Sequence, residues 1–226
     1  DYSTGGSLDG MIAAVDRVLK IAGRPESHVE EIANPIYAQL TSGDEPIETT
    51  ILASAGSVEL LLTARGPDAA TARARLCELA GAMRARLGID LYGVDDDTLA
   101  GVVGRLLAAR GATVASAESC TGGLLGAALT EVSGSSAWFR GGLVCYANDL
   151  KTSLARVPDE LLRAHGAVSE PVARALAAGA RRACAADFGL GITGVAGPDG
   201  GTADKPVGTV HVALADEGDG RAVRLD

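Results

Sequence analysis

Two short apolar stretches that each run directly into a glycine-rich turn constrain the fold of this chain most. The first is ATVASAES followed by CTGG, and the second is FGLGITG followed by VAGPDG. Apolar runs of this length are typical of buried strands, and helical patterns alternate with them along the chain. This alternation predicts an α/β fold in which both turns lie at one edge of a sheet, where such folds bind ligands.

The composition indicates a globular protein and argues against several functional classes. Hydrophobic residues make up 47% of the 226 residues but aromatic residues only 3%, so Ala, Val, Leu and Ile must build the core. A formal net charge of −9 argues against general binding to nucleic acid or to a membrane. No apolar run is long enough to cross a bilayer, and the polar N-terminal residues do not resemble a signal peptide, so we expect a cytoplasmic location.

The four cysteines and three histidines are scattered along the chain. Cys77, Cys120, Cys145 and Cys184 form no CxxC pair, and no histidine lies close to another in sequence. This distribution matches neither a disulfide framework nor a zinc site. We therefore expect reduced thiols, no metal ion and no cofactor.

Residues 11–93 predict a small α+β domain, preceded by a flexible leader at residues 1–10. Apolar residues recur at helical spacing over residues 11–22, which predicts a helix. A second helix is predicted from Ser27, which has the capping-box spacing to Glu30, and Pro35 should bend or break it.

The remainder of this first region predicts a hairpin and a helix. Residues 48–66 are rich in strand-forming residues on both sides of a short Ala-Gly-Ser turn, which predicts a β-hairpin. Residues 67–88 predict a long helix with a proline in its first turn and a glycine at its end.

A new pattern begins near residue 94. Asp95, Asp96 and Asp97 suit the N-terminus of a helix, because the helix dipole favours negative charge there. The apolar face expected for that helix comprises Leu99, Val102, Val103, Leu106 and Leu107. The strand that follows places Ser119, Cys120 and Thr121 at a strand-to-helix turn, where helix amides can face an anion or a developing oxyanion.

Three separate segments share a polar, glycine-rich or charged character. They are residues 119–123, residues 146–151 and residues 193–198, and the first and third each follow an apolar strand. Either glycine-rich turn alone is weak evidence for a site. Together they predict two backbone surfaces that converge on one polar, phosphate-bearing ligand.

Four blocks of this sequence closely resemble the C-terminal domain of the CinA family. The blocks are AESCTGG, GSSAWFRGGLVCYANDLK, HGAVSEPVA and GITGVAGPDGG with KPVGTV. That domain is similar to stand-alone nicotinamide-nucleotide amidohydrolases, and the resemblance runs from about residue 95 to the end. Residues 11–93, with RVLKIAGRPESHVEEI, look like the middle KH-like domain of the same family.

The resemblance implies a domain organisation. We expect a KH-like α+β domain at residues 11–93 and a three-layer αβα sandwich amidohydrolase domain at residues 94–226. The family usually continues into a GDR motif and a final helix, so we expect the second domain to be truncated before that helix. The pyrophosphatase-type domain that precedes the KH-like domain in the family also has no counterpart in this sequence.

The resemblance also implies an activity, the hydrolysis of nicotinamide mononucleotide to nicotinate mononucleotide and ammonia in pyridine-nucleotide recycling. Ser119 would be the nucleophile, and Tyr146 and Lys151 would be its activating partners. The residues expected to contact the substrate are Thr121, Gly122, Gly123, Thr193, Gly194, Ala196 and Gly197. Further expectations are a nucleotide as the small-molecule partner and a homodimer.

A serine–lysine mechanism makes a physical demand on Lys151. A free lysine is neutral only about once in a few thousand at pH 7, so the site must depress the pKa of Lys151 strongly. Several residues also have plainer interpretations. Ser119 could be a helix cap, Cys120 is a competing nucleophile, and Asp199 and Lys205 could be solvated or could contact substrate.

Two alternatives remain open at the level of sequence. One is a related nucleotide hydrolase with a different leaving group. The other is a nucleotide-sensing or RNA-binding protein that carries an inactive hydrolase-like domain. A KH domain needs a GXXG loop to bind RNA, and residues 11–93 contain none, so nucleic acid is not expected as a partner.

Overall fold

The computed structural model of this chain describes residues 13–40, 46–54, 56–218 and 220–225. The chain divides into two compact units between Val102 and Val103. The leader predicted at residues 1–10 lies outside the described residues. Within the described ranges, no helix is long and apolar enough to cross a membrane.

The first unit is an antiparallel sheet with two helices. Its elements are β1 (Ala13–Ala22), α1 (Glu26–Leu40), β2 (Glu48–Ser54), β3 (Ser57–Gly66), α2 (Ala69–Leu87) and β4 (Leu91–Val94). The strands lie in the order β2-β3-β1-β4. Large aliphatic side chains from the strands and both helices form its core, among them Leu19, Ile21, Leu60, Leu62, Leu76, Leu79 and Met83.

The helix predicted at residues 11–22 is wrong. Residues 13–22 form β1, which pairs antiparallel with both β3 and β4. Leu19 and Ile21 are fully buried on its core face, so buried residues recur here every second position, as in a strand, and not every 3.6 positions, as in a helix. Tertiary pairing on both edges of β1 overrides the helical spacing of its apolar residues, and residues 11 and 12 lie outside the described ranges.

The other predictions for this unit have mixed outcomes. The hairpin is confirmed by the antiparallel pairing of β2 with β3, and α2 ends at Gly88 as predicted. The N-cap of α2 is Asp68, whose carboxylate accepts a hydrogen bond from the Thr71 amide. Helix α1 begins at Glu26, so Ser27 is not its N-cap, and the helix continues through Pro35 instead of ending there.

Helix α3 (Leu99–Ala109) lies across the division between the units. Its N-terminus is capped by Thr98, whose hydroxyl accepts from the Gly101 amide. The acids expected there bind elsewhere, because Asp95 accepts from the Val18 amide and Asp97 from the Val94 amide. Of the predicted apolar face, Leu107 is buried, whereas Leu99 and Leu106 are about half exposed.

The second unit has the predicted α/β character and is built on a mixed sheet of five strands. Its further elements are β5 (Val114–Glu118), α4 (Leu124–Thr130), β6 (Phe139–Val144), α5 (Asn148–Ser153), α6 (Asp159–His165), α7 (Glu170–Ala183), β7 (Phe188–Gly194), β8 (Val210–Ala215) and β9 (Arg221–Leu225). The strand order is β6-β5-β7-β8-β9. Strand β5 pairs parallel with β6 and β7, whereas β8 pairs antiparallel with both β7 and β9. The carboxyl ends of β6, β5 and β7 therefore meet at one edge.

Small residues let helix α7 lie very close to this sheet. A Cβ atom on Gly191 would overlap the backbone carbonyl oxygen of Ala173, and one on Gly189 would overlap that of Ala177. Alanines of β5 and α7 fill much of the remaining interface. Helix α4 bonds through its first amides to Glu118, whose neighbour Ala117 packs into the α7 core, so helices contact both faces of the sheet.

Candidate active site

The candidate site lies where three parallel strands end. Ser119 follows β5, Cys145 follows β6, and Thr193 is the penultimate residue of β7. Two backbone hydrogen bonds fix these ends to one another, from the Ser119 amide to Ile192 O at 3.0 Å and from the Cys145 amide to Glu118 O at 2.7 Å. The two glycine-rich turns are therefore adjacent, as the sequence predicts.

A cleft of about 330 Å³ opens at this edge. It is lined by Ser119, Cys120, Tyr146, Asn148, Lys151, Ala167, Val168, Thr193, Gly194, Val195, Ala196, Gly197, Asp199 and Gly200. The structure thus brings together the three predicted catalytic residues and four of the predicted substrate-binding residues, those at the end of β7 and in the loop that follows it. They are Ser119, Tyr146, Lys151, Thr193, Gly194, Ala196 and Gly197. A pocket of about 370 Å³ lies at the opposite end of the strands, beside Arg110 and Asp187, but its lining contains neither a serine nor a cysteine.

Three predicted substrate contacts do not line the cleft, although all three belong to the described chain. Thr121, Gly122 and Gly123 form the turn between Ser119 and α4, in which the Gly122 amide bonds to Ser119 O at 3.1 Å. Gly123 has a φ of 106° at the N-cap position of α4, a conformation that favours glycine. The Thr121 hydroxyl is buried and has no hydrogen-bond partner among the described residues. Here these residues shape the turn.

A buried carboxylate missed by the sequence analysis organises this turn. Glu118 is 1% exposed, and its side chain accepts hydrogen bonds from the Leu125 amide at 3.0 Å and the Gly126 amide at 2.8 Å. These two amides of the first turn of α4 face the Glu118 side chain and are therefore not free to bind a developing oxyanion. The sequence evidence that could have located it is a single acid at the end of an apolar strand. A carboxyl group buried there needs hydrogen-bond donors close by.

Lys151 is the largest side chain that is almost completely buried, at 1% exposure. Helix α5 turns it back under the end of β6, where its Nζ donates to Cys145 O and to Tyr146 O, each at 3.0 Å. In the described part of the chain no carboxylate forms an ion pair with it. Lysine is almost never fully buried unless it is paired, and a buried lysine whose partners are backbone carbonyls is a candidate functional residue.

The burial of Lys151 shifts its pKa in the direction that the sequence analysis required. Removal from water disfavours the ammonium and lowers the pKa of Lys151, and the nearby Cys145 and Cys120 only partly oppose this shift. Burial raises the pKa of both thiols, above all because the thiolate would lose its hydration. Burial thus shifts all three groups towards their neutral forms.

Ser119 and Tyr146 both line the cleft but differ in exposure. Ser119 is 7% exposed and comes directly after the buried strand β5. Tyr146 is 72% exposed, and its described contact with Lys151 is made through its backbone carbonyl. The role predicted for its phenol stays a prediction.

One wall of the cleft contains residues that the sequence analysis did not single out as lining it. Ala167 and Val168, between α6 and α7, line the cleft together with Asn148 of α5. Thr193 is buried, and its hydroxyl donates to Ala167 O at 2.8 Å, which joins the end of β7 to this wall. Asp199 lines the cleft and Lys205 does not, although Lys205 Nζ donates to His165 O at 2.9 Å.

Comparisons with protein families match both parts of the chain. Residues 96–226 match the CinA C-terminal domain, and residues 16–93 match the damage-inducible protein CinA KH domain. No group of three or more potential metal ligands occurs among the described residues.

Similar proteins come from several bacteria. A CinA-like protein of Gloeobacter violaceus is 52% identical over 170 residues, which cover 75% of this chain and 40% of that protein. A putative competence-damage inducible protein of Symbiobacterium thermophilum is 49% identical over 204 residues, 90% of this chain and 47% of that protein. This chain thus spans less than half the length of these two relatives.

Among solved structures, competence/damage inducible protein CihA from Agrobacterium tumefaciens superposes with a TM-score of 0.55 at 43% identity. The match covers 56% of this chain and 78% of that one. A competence damage-inducible protein A from Klebsiella pneumoniae gives a TM-score of 0.52 at 37% identity, over 54% of this chain and 76% of that one.

Proposed function

This chain belongs to the CinA family, and we propose that its cleft hydrolyses the amide of nicotinamide mononucleotide to give nicotinate mononucleotide and ammonia. The reaction would serve pyridine-nucleotide recycling. Ser119 acts as the nucleophile and Lys151 as the base, without a metal ion or a cofactor.

The observation that carries this proposal is the environment of Lys151. A neutral amine has two N–H donors and one lone pair, and two backbone carbonyls within 3.0 Å of Nζ can accept both donors. The lone pair is then the one position of the amine left for the cleft. The carbonyls fix the position of Nζ, burial disfavours the charged form, and no carboxylate of the described chain pairs with it.

The chemical steps balance with these two side chains. Lys151 takes the proton from the Ser119 hydroxyl while Ser119 Oγ attacks the amide carbon, and a tetrahedral intermediate forms. The resulting ammonium of Lys151 gives its proton to the amide nitrogen, so ammonia leaves and an ester to Ser119 remains. Water then attacks the ester, Lys151 accepts its proton and returns one to Ser119 Oγ, and the acid product leaves.

The same electrostatics explain why we assign the nucleophile to serine. Cys120 lines the cleft beside Ser119, but burial raises the pKa of its thiol and so disfavours the reactive thiolate. A serine does not have to ionise in advance, because its base can remove the proton during attack.

The turn after β7 would hold the substrate through its backbone. Gly194, Ala196 and Gly197 line the cleft and present main-chain groups. Successive backbone N–H groups of such a turn can bind a phosphate, and the only lysine or arginine in the lining is Lys151. Thr193 contributes indirectly, since its hydroxyl is bound to Ala167 O.

Ammonia release from nicotinamide mononucleotide tests the proposal. We expect the wild-type chain to release ammonia, and Ser119→Ala to lose about 10³-fold or more in kcat while still binding the nucleotide in calorimetry. Cys120→Ala, the adjacent matched control, should retain activity within a few-fold. If Cys120→Ala is inactive and Ser119→Ala is active, the nucleophile is the thiol.

The wild-type chain decides between the proposal and the sensor alternative. Binding of the nucleotide without ammonia release would favour a nucleotide-sensing protein. The expected homodimer and cytoplasmic location stay predictions.

A further inference from the structure

Lys205 connects two parts of the cleft wall that are separated in sequence. The loop after β7, residues 195–209, supplies Ala196, Gly197, Asp199 and Gly200 to the lining. The corner between α6 and α7 supplies Ala167 and Val168. The side chain of Lys205 reaches from the loop to this corner, where Nζ donates to His165 O at 2.9 Å.

The acceptor is well suited to a cation. His165 is the last residue of α6, so its carbonyl lies at the helix end where unpaired carbonyls concentrate negative charge. An ammonium that binds there makes a charge-assisted hydrogen bond. No carboxylate among the described residues pairs with Lys205, so this bond is its principal described contact.

The part of the loop that lines the cleft has little support of its own. Backbone hydrogen bonds close the base, from the Val195 amide to Thr209 O and from the Gly208 amide to Val195 O, each at 2.9 Å. Within the described chain, no residue from 196 to 201 takes part in a backbone hydrogen bond. The position of this segment must therefore come from packing.

That packing leads back to Lys205. A Cβ atom on Gly201 would lie 2.8 Å from the Val207 amide nitrogen, and one on Gly197 would lie 2.5 Å from Val207 Cγ1. The lining segment thus rests against Val207, two residues beyond Lys205. The turn that presents Lys205 is itself closed, because the Thr202 amide bonds to Lys205 O at 2.9 Å and the Lys205 amide to Thr202 Oγ1 at 3.1 Å.

We propose that Lys205 is a positioning residue that holds the loop of residues 195–209 against the end of α6 and so fixes the substrate-binding wall of the cleft. The proposal rests on the proposed function for its substrate. Lys205 acts before substrate arrives, through His165 O and Val207, and does not touch the reacting atoms. Its loss should impair binding more than the chemical step.

Lys205→Met tests this, because methionine keeps an unbranched apolar stem and removes the donor. We expect the KM for nicotinamide mononucleotide to rise about 3- to 10-fold, the range of one partly exposed charged hydrogen bond, while kcat stays within about twofold. Lys205→Arg, which can still donate to His165 O, should recover most of the affinity. Lys20→Met is the matched control, since Lys20 pairs with Glu59 in the first unit.

Hydrogen exchange of the ligand-free protein separates positioning from direct substrate contact. We expect amides of residues 196–208 to exchange faster in Lys205→Met than in wild type, while peptides from α7 exchange at the same rate. A raised KM with unchanged exchange would mean that Lys205 binds substrate directly, and this would overturn the proposal. A fall in kcat at constant KM would also overturn it.

The exchange measurement needs no turnover. If the wild-type chain released no ammonia, the proposed function would fail, and exchange alone would still decide the role of Lys205. Unchanged loop exchange in that case would overturn the positioning role, and faster exchange would support it.

Discussion

The two units of this chain fill their cores with different kinds of residues. The first unit buries large aliphatic side chains, whereas the second packs alanine and glycine between α7 and its sheet. Every polar or charged residue that is buried in the described chain lies in the second unit, a set comprising Ser116, Glu118, Ser119, Lys151, Ser169, Thr193 and Thr209.

This difference has a physical cause. Small residues let α7 approach the sheet closely, and in the same unit strand ends and a helix N-terminus offer main-chain groups that bind buried polar side chains. Glu118 and Lys151 are both held by backbone groups, not by an opposite charge. A core of leucines maximises apolar burial but leaves no such groups at hand. We infer that the second unit buries less apolar side-chain surface and in return holds the polar side chains Glu118 and Lys151 in fixed positions.

The largest effect should come from changing the charge behaviour of Lys151 while keeping a cation. Lys151→Arg places a group that does not deprotonate near neutrality in the same position. We expect kcat for ammonia release to fall about 10²- to 10⁴-fold at every pH from 6 to 9, as for the loss of a general base.

A folding defect must be excluded for this variant, because arginine is larger than lysine. Thermal unfolding and nucleotide binding of Lys151→Arg should therefore be measured beside its turnover. A folded Lys151→Arg protein with normal kcat and a normal pH profile would rule out Lys151 as the base, and Tyr146 would become the candidate.

The next effect compares glycine in the two units. Gly191→Ala in β7 would drive a methyl group into the Ala173 carbonyl and the Ala177 amide, so we expect a loss of about 3 kcal/mol in the free energy of unfolding. Gly81→Ala is the matched change in the first unit. Gly81 is exposed on α2 with no atom within 4 Å of the added Cβ, so we expect a gain of about 0.5–1 kcal/mol.

Urea unfolding of the two alanine variants measures this contrast. Equal small effects would mean that α7 can move away from the sheet, and the close packing of the second unit would not be required for its stability.

The sequence predicted most of what depends on pattern. Apolar strands that end in glycine turns located Ser119 and Thr193 at one edge, because parallel strands place their ends together. The β1 strand was mispredicted because the apolar spacing of Val15, Leu19 and Ala22 suits a helix, and only pairing with β3 and β4 selects the strand.

What the sequence could not predict are bonds between side chains and distant backbone. Lys205 binds the carbonyl of a residue 40 positions away, and Thr193 that of a residue 26 positions away. A backbone carbonyl has no residue type, so no motif encodes these contacts. For the same reason, the sequence showed that the proposed mechanism needs a depressed pKa of Lys151 but not which backbone acceptors would bind its Nζ.

The smallest expected effect concerns pH and the stability of the second unit. Burial holds the pKa of Lys151 below its ordinary value of 10.5. Between the lowered pKa and 10.5, the folded protein carries neutral Lys151 and the unfolded chain carries the ammonium, so unfolding takes up a proton. Stability should therefore rise with pH in this window, at most about 1.4 kcal/mol per pH unit. Below the lowered pKa both states are protonated, and the cost of burying the charge is fully present.

Lys151→Met isolates this contribution, because methionine fills a similar volume and does not titrate. We expect the free energy of unfolding of wild type relative to Lys151→Met to increase as the pH rises towards 10.5 in urea titrations. Lys20→Met, the same substitution at a lysine of the first unit, is the matched control. Parallel pH curves for wild type and Lys151→Met would mean that Lys151 stays protonated in the folded protein across this range. The second unit would then hold a buried cation rather than a base, and the contrast between the two units would no longer support the proposed mechanism.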